Sequence, residues 1–153
     1  MIQPGAFPLA LQRLSQHIDS MPAMFMTLDK HAILQKPAPG KWSKQEIIGH
    51  LIDSAINNLK RFTDAQCMPQ PYMVNRYRQD DLVQINNYQY LPTEHILYLW
   101  TGLNRQIAEV MKNVPQEKLE YIVLTYDSGE KTLEWLMIDY VDHLEHHLKQ
   151  VFG

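Results

Sequence analysis

The strongest constraint on this chain is the stretch from Trp42 to Gln66. Ser43 and Glu46 stand in the S-x-x-E relation of a capping box, in which each side chain satisfies the other's free backbone N–H at a helix start. Beyond it, at about 100° per residue, Ile47, Ile48, Leu51, Ile52, Ala55, Ile56, Leu59 and Phe62 form one broad apolar arc. The spacing predicts a helix over residues 44–66 with that arc buried. Glu46, His50, Asp53, Asn57 and Arg61 make a narrow polar stripe on the other side. Two readings of the stripe stand side by side. It is a solvated face, or it lines a cleft where His50 ligates a metal with Glu46 or Asp53 beside it.

Three more helices follow from the same periodicity. Residues 7–28 carry Leu9, Leu11, Leu14, Ile18, Met21, Met24 and Phe25 near helical spacing, and Pro22 predicts a kink or a fresh start capped by Ser20. Pro92 opens a third helix running to about Val110 on Ile96, Leu97, Leu99, Trp100, Leu103 and Ile107. Thr132 caps a last helix from Leu133 to about Val151. Before it, Tyr121–Tyr126 is β-branched and aromatic and Asp127-Ser128-Gly129 is a turn signal, which together predict a short extended segment or small hairpin rather than a sheet. Lys36-Pro37-Ala38-Pro39-Gly40 is a loop. Residues 67–91 are expected to be an irregular connection whose crowded tyrosines and arginines suit either an anionic ligand or a plain surface crossover.

The last helix sorts its own histidines. Leu133, Leu136, Met137, Tyr140, Val141, Leu144, Leu148 and Val151 form its apolar arc. His143 and His147, one turn apart, fall on the edge of that arc, whereas His146 points away with Asp142 and Lys149. Two imidazoles in an H-x-x-x-H pair can grip one metal ion, but a site needs a third ligand. His17, His31 and His95 have no ligating neighbour at helical spacing.

Composition narrows the function classes. A chain of 153 residues that is 45% hydrophobic supports one domain over residues 1–153 with a sizeable core. A net charge of −3 with scattered basic residues gives no nucleic-acid or anionic-membrane surface. No apolar run approaches a membrane span, and the N-terminus lacks the pattern of a signal peptide. Cys67 is the only cysteine, so an internal disulfide is ruled out and a reducing, cytoplasmic location is expected.

Two segments together match a known pattern. Gly40-Lys41-Trp42-Ser43-Lys44-Gln45-Glu46-Ile47-Ile48-Gly49-His50-Leu51-Ile52-Asp53-Ser54 and Asp142-His143-Leu144-Glu145-His146-His147-Leu148 resemble the DinB superfamily, within it the branch of bacillithiol transferases and proteins classed as metal-dependent hydrolases. The similarity extends loosely from about residue 9 to 151. The resemblance implies an all-α four-helix bundle, up-down-down-up, with the 67–91 segment as the crossover between the second and third helices. It also implies a divalent metal held by three histidines, here His50, His143 and His147. Zinc or nickel suits such nitrogen ligands.

Three neutral imidazoles leave positions open on an ion, the arrangement of a catalytic site. The leading expectation is transfer of a low-molecular-weight thiol to a small electrophilic substrate. The alternatives are metal-dependent hydrolysis, with Glu46 or Asp53 as base, and a non-catalytic metal-binding stress-response protein. Family members that self-associate make a homodimer the expected assembly.

Overall fold

The computed structural model describes residues 1–153. The predicted capping box forms: Ser43 Oγ accepts from Glu46 N at 3.1 Å, and Glu46 Oε2 accepts from Ser43 N at 2.9 Å. It opens helix α3 (Lys44–Cys67). Before it come α1 (Ala6–Met26) and the short α2 (Lys30–Leu34), which the sequence reading did not foresee. After it come strand β1 (Tyr72–Met73), α4 (Gln79–Ile85), a 3₁₀ turn (Tyr88–Tyr90) and α5 (Thr93–Asn113). The chain ends with α6 (Gln116–Leu119), β2 (Ile122–Thr125), β3 (Gly129–Thr132) and α7 (Leu133–Phe152). Thr132 caps α7 as expected, its Oγ1 accepting from Trp135 N at 3.1 Å.

Three expectations need correction. Pro22 neither ends nor restarts the first helix, and Ser20 caps nothing; its hydroxyl donates to Gln16 O at 2.8 Å. Ile18 and Met21 before and at the edge of the proline, and Phe25 after it, are all buried in the same core. Packing therefore holds the helix continuous across a residue that lacks an N–H. The 67–91 connection is not structureless, since it holds β1, α4 and the 3₁₀ turn. The fold is also not purely helical. The hairpin β2–β3 exists, with Val123 opposite Lys131, but β1 adds to it in parallel with Tyr72 opposite Val123, giving a three-stranded sheet in the order β1-β2-β3.

The four long helices close a ring in which α1 and α3 each pack against both α5 and α7. Lys44 Nζ donates to Val151 O, and the rings of Phe62 and Tyr140 meet edge-on at 5.9 Å. On α1 and α7, Arg13 pairs with Glu145 and Phe25 meets Phe152 at 6.5 Å. One continuous apolar core fills the ring, with Leu14, Met21, Ile48, Ile52, Trp100 and Ile107 wholly enclosed. The polar stripe of α3 is not a solvated face: Glu46, His50 and Asp53 are all buried.

The crossover is tied to the start of α3 by Gln45. Its Nε2 donates to Tyr88 O at 2.7 Å and Leu91 O at 2.9 Å, while its Oε1 accepts from Thr93 at 2.8 Å. A buried side-chain amide so satisfied fixes the end of a long connection without leaving polar atoms unpaired. This tie, with the cap below it, sets the backbone from which His50 projects.

Candidate metal centre

His50 lies on the second turn of α3, and His143 and His147 lie one turn apart on α7. Their packing brings three imidazoles together from positions some ninety residues apart. The Nε2 atoms of His50 and His143 are 3.4 Å apart, and those of His143 and His147 are 3.2 Å apart. All three ligating atoms lie within 4.8 Å of one another. His146 lies outside the group, exposed, with its Nε2 3.4 Å from Gln150.

Burial pushes the His50 imidazole down to about 3, with the neighbouring His147 and His143 adding to the effect. His143 falls to about 4, again chiefly through burial, then through His147, His146 and Arg61. Burial lowers His147 too, against the Gln150 hydrogen bond, which raises it. The three rings are therefore neutral at neutral pH. Each neutral ring carries one N–H and one lone pair, so His143 Nε2, whichever it presents, cannot satisfy both of its neighbours.

A cation satisfies that arrangement, and the two spacings to His143 fit one. A tetrahedral ion with nitrogens at about 2.0–2.1 Å needs ligand atoms roughly 3.3 Å apart. The second nitrogens bear on the same point. His147 Nδ1 lies 2.9 Å from Gln150 Oε1, which assigns the proton to Nδ1 and leaves Nε2 free. His50 Nδ1 is buried without a partner. That ring is positioned by packing instead, with Trp42 stacked on it at 4.8 Å between centroids and 31° between planes.

Glu46 and Asp53 stand one turn either side of His50 on α3 but are held by other groups. Glu46 is engaged by the Ser43 backbone and by Lys36 Nζ at 2.9 Å. Asp53 Oδ1 accepts from Tyr88 Oη at 2.7 Å and Asn86 Nδ2 at 2.9 Å, while its Oδ2 is buried and unpartnered. Burial raises its pKa, and those two hydrogen bonds oppose the rise. Beside His147 a cleft of about 520 Å³ opens between the loop before α3 and α4, lined by Lys41, Trp42, Ile47, Gln79 and Gln150 among others.

The sequence reading missed Gln150 and Tyr88 as supports. Gln150 was legible at i+3 from His147, since a helix places those positions on one face. Tyr88 was not, because its approach to Asp53 depends on how the crossover folds back.

A mainly helical bundle with three converging histidines defines a class of metal-dependent proteins. The chain belongs to the DinB superfamily, whose family model matches residues 10–151. It is 23% identical over 129 residues to the Halalkalibacterium halodurans protein named "Putative metal-dependent hydrolase", covering 84% of this chain and 74% of that one. Among solved structures it is similar to Bacillus subtilis YfiT, described as "a probable metal-dependent hydrolase with an unusual four-helix bundle topology" (TM-score 0.85, 16% identity, 99% of this chain and 86% of that one). It also shares its fold with a mycothiol-dependent maleylpyruvate isomerase, at TM-score 0.69 and 13% identity over 93% of this chain and 59% of that one. No helix is long and apolar enough to cross a membrane.

Proposed function

We propose that this protein is a metal-dependent enzyme in which His50, His143 and His147 hold one divalent ion, zinc or nickel, and that it transfers a low-molecular-weight thiol to a small electrophile. The observation that carries the metal assignment is the convergence of three neutral imidazoles, with His143 Nε2 3.4 Å from His50 and 3.2 Å from His147 and all three ligating atoms within 4.8 Å of one another. Such an ion would supply Lewis acidity, lowering the pKa of a bound thiol or water. The chain's own residues keep the three rings deprotonated by burial and aim them through Trp42 and Gln150. The 520 Å³ cleft beside His147 gives a small molecule access, with Trp42 and Ile47 as apolar walls and Lys41 and Asp80 as its charged groups.

What favours thiol transfer over hydrolysis is the state of the carboxylates. Ionising a thiol at the ion needs no protein base, whereas activating water is helped by a free one. Glu46 is bound up in the cap and the Lys36 pair, and Asp53 Oδ1 in two hydrogen bonds. The thiol dependence named for the isomerase of the same fold supports the same reading. Hydrolysis is the second reading, supported by the names of two relatives and by the free, buried Oδ2 of Asp53, the candidate base.

The helix directions belong to this proposal as well. Lys44 meets Val151 while Phe62 meets Tyr140, Arg13 meets Glu145 while Phe25 meets Phe152, and Gln45 meets Thr93. These end-to-end pairings support up-down-down-up. A cytoplasmic location and a homodimer complete it, the latter checked by sedimentation.

The test is conjugation of bacillithiol, or a surrogate thiol, to a chlorinated or epoxide acceptor with zinc or nickel added. A metal-dependent rate that requires the thiol supports transfer. Turnover of ester or amide substrates without thiol, lost in Asp53→Asn, supports hydrolysis instead. Metal held without either rate leaves a non-catalytic metal-binding protein.

A further inference from the structure

A second group of polar side chains lies further along the seam between α3 and α7, and the trio does not use it. Arg61, three turns beyond His50 on α3, is half-buried, and burial lowers its pKa. Its guanidinium donates to Asn75 Oδ1 at 3.2 Å and to Asn75 O, and sits 5.5 Å from the centre of the Tyr77 ring. No carboxylate lies within 4 Å of it. Arg13 and Arg78 differ, each having an acidic partner at 2.7 Å. Arg76, over the Tyr126 ring at 4.9 Å, also lacks one. Arg61 and Arg76 line one cleft of about 170 Å³, with Tyr126, Trp135 and two carboxylates, Asp127 and Asp139. Asp139 stands one turn before His143, and its charge is the smallest of the influences on Arg61. The charge of Arg61 in turn reaches His143.

A guanidinium taken partly out of water without a counter-ion is a group that gains from an arriving anion. Its planar fork matches a carboxylate, and the aromatic walls suit the apolar body carrying it. Asp127 and Asp139 in the same cleft repel a dianion more than a monoanion, which favours carboxylate over phosphate. The geometry points to a carboxylate-binding subsite formed by Arg61 and Arg76, reaching α7 at Asp139 one turn before His143, which selects small substrates bearing an anionic group. The inference rests on the metal reading only for where the reacting end of the substrate lies. Anion binding itself needs no metal.

The experiment is an NMR-detected titration of the metal-free full chain with acetate, succinate, phenylacetate, neutral acetamide and inorganic phosphate. At least one carboxylate binds saturably and acetamide does not. Arg61→Gln weakens that binding roughly tenfold or more, the loss of a charge-assisted hydrogen bond, and Arg61→Lys recovers part of it. Arg76→Gln, on an exposed residue, weakens it too and serves where Arg61→Gln fails to fold. The proposal is overturned if no carboxylate binds, if phosphate binds more tightly than every carboxylate, or if folded variants at Arg61 and Arg76 bind as the parent does. Repeating the titration in His50→Ala separates the two readings, since Arg61-dependent binding there stands even if the trio holds no metal.

Discussion

The ring of Tyr88 fills the space where a side chain at Gly49 would stand: a Cβ built on Gly49 would lie 2.2 Å from Tyr88 Cδ2 and 2.3 Å from Cγ. This close approach lets Tyr88 pack against α3 and reach Asp53 with its hydroxyl. Gly49→Ala therefore forces the ring or the helix to move. Ala in place of Gly favours a helix by up to about 1 kcal/mol, but overpacking of this kind costs about 1–3 kcal/mol. The expected result is a lower midpoint of denaturant unfolding, and an unchanged or raised midpoint would show that the crossover yields freely.

The buried histidines give the metal-free protein a defined pH dependence. Their ordinary pKa is 6.5, while in the fold His50 stays neutral down to about 3 and His143 to about 4. As pH falls below 6.5 the unfolded chain takes up protons that the folded chain refuses. Stability is thus lost between about pH 6.5 and 4, by up to ~1.4 kcal/mol per pH unit for each ring. Asp53, whose pKa is raised, acts in the opposite sense over its own range. Comparison with His143→Ala isolates the histidine part: the variant's stability, followed by urea unfolding, changes less steeply across that window. Equal slopes would contradict the burial argument.

Tyr140 and Asn104 form a buried pair, with the Tyr140 hydroxyl donating to Asn104 Oδ1 at 2.6 Å. Tyr140→Phe leaves that amide oxygen buried without its donor, at a cost of about 1–3 kcal/mol. Tyr140 lies one turn before His143, yet touches none of the three rings through this bond. The expected outcome is a lower unfolding midpoint with metal content preserved, as measured by calorimetry and elemental analysis on the same sample.

Local signals carried most of what the sequence revealed. The Ser43–Glu46 box and the Thr132 cap act within one turn, and both helix starts fall where those residues place them. The helical wheel separated His143 and His147 from His146 because 3.6-residue periodicity is blind to the rest of the fold. What was illegible depends on distant partners. Tyr72–Met73 is a two-residue strand that exists only because β2, some fifty residues later, lies beside it. Pro22 reads as a kink or a fresh start because its local cost is visible, while the buried Ile18, Met21 and Phe25 that carry the helix through it are not. The stripe through Glu46, His50 and Asp53 could be given no environment until α7 and the crossover had closed over it.

The central claim is that His50, His143 and His147 share one ion, and elemental analysis of untagged protein purified without added metal tests it most directly. The account predicts about one equivalent of divalent metal in the parent and in His146→Ala, and none in folded His50→Ala, His143→Ala or His147→Ala. Stoichiometric metal retained by His50→Ala would contradict it.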